Sequence, residues 1–111
     1  MSVGEVLGVA ALFPAARIVL GGARAGEIRG ASRALARLPN VSLETSQAES
    51  MDALRSLIDV VGAKRVLFGT HTPLYITRSA LLKLEEARLE PEAAAAVSEL
   101  NARRLIESAK R

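Results

Sequence analysis

The sequence predicts an α/β fold, a parallel βαβαβ unit with flanking helices. Three observations carry this reading: three short β-rich runs, an amphipathic helical pattern between each pair, and a helical remainder. Residues 3–12 read as a helix leading into the first strand. That strand is Arg17-Ile18-Val19-Leu20, stopped by Gly21-Gly22. A helix follows with Ile28, Ala31, Leu35 and Leu38 on one face and Arg29, Arg33 and Arg37 on the other, ended by Pro39-Asn40. The second strand is Val41 to Ser46. Met51, Leu54, Leu57, Ile58 and Val61 mark the next helix, with a capping-box pattern Ser46-x-x-Glu49 ahead of it and Gly62 as its C-terminal cap. Arg65 to Phe68, stopped by Gly69, is the third strand. Ser79 to Leu89 reads as a helix, and Pro91 opens a last one through Ala93, Val97, Leu100 and Leu105. Strand, helix, strand twice over predicts parallel pairing with right-handed crossovers.

Composition narrows the function. The chain has 111 residues, 50% of them hydrophobic and only 3% aromatic, so aliphatic side chains build the core of one domain or less. The absence of cysteine excludes disulfides, thiolate metal sites and a cysteine nucleophile, and the one histidine, His71, leaves little room for a self-contained zinc centre. The net charge of +3 concentrates in the first 40 residues, which carry five Arg against Glu5 and Glu27. No aromatic residues interleave with those arginines and no recognised module holds them, so no nucleic-acid partner is expected. Glu5, Pro14 and Arg17 interrupt the apolar stretch Val3 to Leu20. No membrane span or leader is expected, and a cytoplasmic location is.

Chemistry in parallel α/β folds gathers at the C-terminal ends of the strands. Those ends are Gly21-Gly22, Thr45-Ser46 and Gly69-Thr70-His71-Thr72-Pro73. His71, just past a buried strand and between two hydroxyls, is the candidate catalytic residue, suited to general acid/base work or metal binding. Gly22, Thr45, Ser46, Thr70 and Thr72 are the candidate substrate-lining residues. Ser46 could in principle meet His71 as a nucleophile. Gly21 to Gly26 satisfies two-thirds of a dinucleotide-type glycine pattern, with Ala23 at the middle position and Glu44 where a ribose-binding acid would sit. That leaves open a small doubly wound α/β domain binding a phosphate-bearing ligand.

The stretch Asn40-Val41-Ser42-Leu43-Glu44-Thr45-Ser46, the stretch Val61 to Thr70 and the closing Asn101-Ala102-Arg103-Arg104-Leu105 carry a resemblance. In ordered spacing they resemble the end of an amidohydrolase-related protein of the amidohydrolase 2 type. Phe13-Pro14 before the first strand matches the same pattern, so the resemblance covers nearly the whole chain. It implies a metal-dependent (β/α)8 TIM-type barrel of which residues 1–111 form the last three strands and closing helices, a partial domain. It also implies hydrolysis of C–N or C–O bonds, or decarboxylation, of a small-molecule substrate by water activated on a divalent metal such as zinc. The family's H-x-H pair and strand-five histidine fall outside the chain. Its strand-six histidine aligns near Gly22, and its strand-eight aspartate aligns with His71. The expectation is therefore a chain that holds no metal tightly and is not catalytic alone. Both sheet edges are expected to stay unpaired, favouring self-association or a partner chain that supplies the missing strands. A structural subunit completing a sheet with a partner is the remaining alternative.

Overall fold

Side chains on the central strand alternate. In β2 (Val41–Glu44), Val41 and Leu43 are fully buried, while Ser42 and Glu44 are half-buried. The computed structural model describes residues 1–49 and 52–109. Its sheet has the order β1-β2-β3, with β1 (Ile18–Leu20) and β3 (Val66–Leu67) each parallel to β2. Ile18 pairs with Val41, and Leu43 lies between Leu20 and Val66. The strand order never reverses. Right-handed crossovers then place both connections on one side of the sheet, whereas a doubly wound domain needs a reversal to put helices on both.

The core sits on that side. Leu20, Val41, Leu43 and Val66 pack with Leu7 and Ala10 of α1 (Val3–Leu12), Ile28 of α2 (Ala25–Gly30), Leu35 of α3 (Ser32–Arg37) and Leu57 and Val61 of α4 (Ala53–Val61). Ser2 and Glu5 form a reciprocal capping box at the start of α1.

Two helical expectations are corrected. The helix expected over Ile28 to Leu38 is divided at Ala31, whose φ of −98° and ψ of 8° leave the helical range. Gly30 and Ser32 flank the break, and both are weaker helix formers than alanine. The Ser46–Glu49 capping box does not form. The Ser46 hydroxyl donates to Glu44 instead, at 2.7 Å, and α4 starts only at Ala53. Met51, expected at the start of this helix, lies outside the described residues. Gly62 does end α4, with a φ of 83° and its N–H on the Ile58 carbonyl at 2.7 Å. Arg65, expected within the third strand, lies instead in a 3-10 turn over Ala63–Arg65.

Polar side chains fix the N-terminal ends of the strands. The Asn40 amide reaches the carbonyls of Ala10, Phe13 and Ala16 at 3.0 to 3.2 Å. The Arg65 guanidinium donates to the carbonyls of Val41, Leu35 and Leu38, closing the open end of α3. Burial pushes that guanidinium below its ordinary pKa.

Beyond β3, α5 (Thr77–Glu86) and α6 (Pro91–Ala95) lead into α7 (Asn101–Ala109) through one π-helical turn, Ala96–Leu100. There the Asn101 N–H reaches back to the Ala96 carbonyl. In α-helical register it would have bonded Val97, so the Val97 carbonyl is released. It accepts the Phe68 N–H, at 3.1 Å, at the outer edge of β3. Both outer strands stay without a strand partner, as expected, and beside β3 the chain's own helix takes the Phe68 amide.

Asn101 secures the arrangement. It is buried, and its amide donates to the carbonyls of Ala63 and Val66 at 2.6 and 2.8 Å. Asn101→Ala is expected to lower unfolding free energy by about 2 kcal/mol in urea titrations, because two carbonyls lose their donor. A loss below about 0.5 kcal/mol, the range of an ordinary surface change, would contradict this reading.

Candidate functional site

The three strand ends meet at one carboxylate. Glu44, the last residue of β2, accepts the Gly22 N–H from the end of β1 at 3.3 Å. It also accepts the Ser46 N–H at 2.7 Å and the Ser46 hydroxyl at 2.7 Å. From the β3 side, Gly69 lies so near that a Cβ there would fall on the Glu44 carboxylate. The φ of Gly69 is not in the left-handed region, so what glycine supplies here is room: a Cβ would displace the Glu44 carboxylate from its hydrogen bonds. Thr45 completes the junction between β2 and β3. Its hydroxyl accepts the Gly69 N–H at 3.1 Å, and its carbonyl accepts the Lys83 ammonium of α5 at 3.3 Å.

The residues read from the sequence thus separate into two groups. Gly22, Thr45 and Ser46 come together around Glu44. Thr45 and Ser46 are 2% and 3% exposed, so they shape the floor of the site from beneath. The Ser46 hydroxyl is engaged by Glu44 and not by His71. The glycine loop likewise has its Gly22 N–H on a carboxylate, the position a phosphate oxygen would take in the nucleotide reading.

The second group lies on the loop after β3. His71 has a φ of 56°, a left-handed conformation that costs an L-residue roughly 1–2 kcal/mol. The turn is held by the Leu74 and Tyr75 N–H groups, which both donate to the His71 carbonyl. Hydroxyls run in a chain from Thr70 to Thr72 at 2.9 Å and on to Thr77 at 2.7 Å. They brace the loop that presents the imidazole, which packs tilted against the Tyr75 ring with centroids 5.2 Å apart.

Tyr75 also lines a cleft of about 300 Å3 with Arg24, Arg29, Gln47 and Glu49. None of these five was singled out from the sequence for the site. In the sequence Arg29 belongs to the polar face of its helix, and Gln47 and Glu49 belong to a capping-box pattern that does not form. The position of Arg24 in the glycine loop was the available signal for it. Two guanidinium groups against one carboxylate give the cleft a positive balance, suited to a substrate carboxylate.

The donor set does not fit a metal ion within these residues. Among the described residues no three His, Cys, Asp or Glu side chains come together as a ligand group, and the Glu44 oxygens already accept three hydrogen bonds.

The close approach at Gly69 gives a direct check. Gly69→Ala is expected to cost about 2 kcal/mol in the wild-type background and less than about 0.5 kcal/mol beside Glu44→Ala, a coupling that a double-mutant cycle reads. Equal costs in both backgrounds would show that the carboxylate does not occupy this space.

A family model described as Amidohydrolase, Amidohydro_2, matches residues 1–107. A comparison with the curated proteins finds no match. Among solved structures the chain is similar to 5-carboxyvanillate decarboxylase from Sphingomonas paucimobilis, at 25% identity and a TM-score of 0.68, over 92% of this chain and 37% of that one. It is also similar to an amidohydrolase from Burkholderia multivorans with bound zinc, at 22% identity and a TM-score of 0.73, over 91% of this chain and 47% of that one. The second likeness shows the fold. The chain spans less than half the length of either structure. A parallel βαβαβ unit with flanking helices, matching part of such barrels, together with a family match over nearly every residue, establishes that the chain belongs to the amidohydrolase family.

Proposed function

We propose that the chain forms the last three strands and closing helices of an amidohydrolase-type barrel. In this reading it serves hydrolysis of a C–N or C–O bond, or decarboxylation, of a small carboxylate-bearing molecule once further strands complete the ring. The observation that carries the proposal is the unreversed strand order, with its core on one side of the sheet. A sheet wound in one direction continues into a barrel, and its C-terminal strand ends become the substrate face.

The roles follow from position. Arg24 and Arg29 hold the substrate carboxylate in the cleft they share with Tyr75. His71 moves a proton at the reacting centre through its ring nitrogen, with Tyr75 setting the ring's orientation. Glu44 is a positioning residue: it ties the ends of β1 and β2 together and packs against the start of the His71 loop. Gly22, Thr45, Ser46, Thr70 and Thr72 shape the substrate space around these groups. Metal ligands for the family's water-activating ion come from outside residues 1–111. The 5-carboxyvanillate decarboxylase similarity supports a carboxylated substrate class for the assembled site.

Two measurements test the reading. Chain purified without a histidine tag is expected to carry far less than one zinc per molecule and to turn over no substrate of this class. Mixed with a polypeptide bearing the first five strands of a family barrel, it is expected to gain turnover, which His71→Ala lowers by roughly 100-fold or more, the ordinary weight of a general acid or base. Turnover by the chain alone, with stoichiometric zinc that vanishes in His71→Ala, would overturn the proposal.

A further inference from the structure

A second cavity, of about 520 Å3, lies at the opposite end of the sheet. Arg17 stands just before β1, Asn40 just before β2, and Lys64 and Arg65 just before β3, so four of its lining residues come from the N-terminal ends of the strands. Ser42 lines it from the sheet face away from the core, and Arg104 of α7 closes the far wall. Four cations therefore share one cavity whose lining includes no acidic side chain.

Their contacts leave the charge uncompensated. The Arg65 guanidinium is bound only to neutral main-chain carbonyls, and Arg104 donates to the neutral Asn101 side chain at 2.7 Å. Among the described residues the one ion pair is Arg103 with Glu99, on the exposed face of the C-terminal helix. Like charges gathered around a low-dielectric concavity focus potential there and raise the local concentration of anions.

We propose that this cavity binds a small multivalent oxyanion, a di- or polyphosphate group or a polycarboxylate. The volume lies within the range of small-molecule sites, roughly 300–1,000 Å3, and is far too small for a nucleic-acid groove. No aromatic side chain lines it, so it offers no stacking surface for a base. Recognition rests on the anion itself: the Arg17 guanidinium offers a forked contact to paired oxygens, while Lys64, Arg65 and Arg104 add charge around it. Burial of Arg65 strengthens the attraction, because a partly desolvated cation gains more from a nearby negative charge than a solvated one. The site lies away from the His71 face and does not depend on the reaction proposed there.

Isothermal titration of the chain with pyrophosphate and with citrate, at fixed ionic strength in chloride, tests the assignment. Saturable one-site binding is expected for at least one of them. Tighter pyrophosphate binding assigns the site to phosphate-bearing ligands, and tighter citrate binding to polycarboxylates. Arg17→Gln with Lys64→Gln is expected to weaken binding about tenfold or more through loss of two charge-assisted contacts. Both residues are exposed, so thermal melts of this variant are expected to match wild type. Arg33→Gln with Arg37→Gln makes the same charge change on the exposed face of α3 and is expected to shift affinity less than about twofold, the residue of screened long-range attraction. No saturable binding of either anion up to ~10 mM, weaker than most non-covalent recognition, would overturn the proposal. So would equal weakening by the two double variants.

Discussion

Three parallel strands laid down in one direction can have their crossovers on only one side, and the rest of this molecule follows from that constraint. The covered side takes the alternate residues Val41 and Leu43 and becomes the core. The other side carries Ser42 and Glu44 and stays partly open. Aliphatic packing on one side would leave the strand ends free to splay, since neither face nor edge restrains them. Polar side chains at both ends supply the restraint.

The two ends are restrained in opposite hydrogen-bonding senses, by a side-chain acceptor at one and by side-chain donors at the other. At the C-terminal ends a single carboxylate, Glu44, gathers backbone and hydroxyl donors from two strands and fills the space beside Gly69. At the N-terminal ends Asn40 donates to carbonyls of α1 and the loop after it, while Arg65 and Asn101 donate to the strand carbonyls of Val41 and Val66. Side-chain donors and acceptors substitute here for sheet length, because strands of two to four residues make few ladder bonds of their own. The π-helical turn belongs to the same economy. It releases a helix carbonyl at the one place where the short edge strand β3 has an amide to satisfy.

Much of this was legible in the sequence. Alternating β-rich runs and amphipathic helices gave the parallel order, and glycines and Pro91 marked element ends where they occur. The division at Ala31 was hidden because hydrophobic spacing reports the buried face and not the continuity of the helix. The failed capping box shows the same limit in reverse. Ser46-x-x-Glu49 satisfies a local pattern, but Glu44, two residues back, competes for the same hydroxyl and wins. Around the site, His71 and the strand-end glycines were readable from position alone. Glu44 was noticed for a different role, and its bracing contacts were not legible, because the Gly22 N–H is 22 residues away in the chain. Tyr75, Arg24 and Arg29 come together only once the loop after β3 folds back toward the start of α2.

The central claim is that this sheet is one segment of a barrel, open on the β1 side and held at Phe68, just past β3, by a carbonyl of its own helix. Amide hydrogen exchange reads both edges at once. In β1 the Ile18 N–H points toward β2, onto the Asn40 carbonyl, so alternation turns the Val19 N–H to the open edge. The account predicts rapid exchange at Val19 and protection at Phe68 in the chain alone. On addition of a polypeptide carrying the preceding strands of a family barrel, Val19 should become protected while Phe68 stays as it was. Protection of Val19 in the chain alone, or rapid exchange at Phe68, would contradict it.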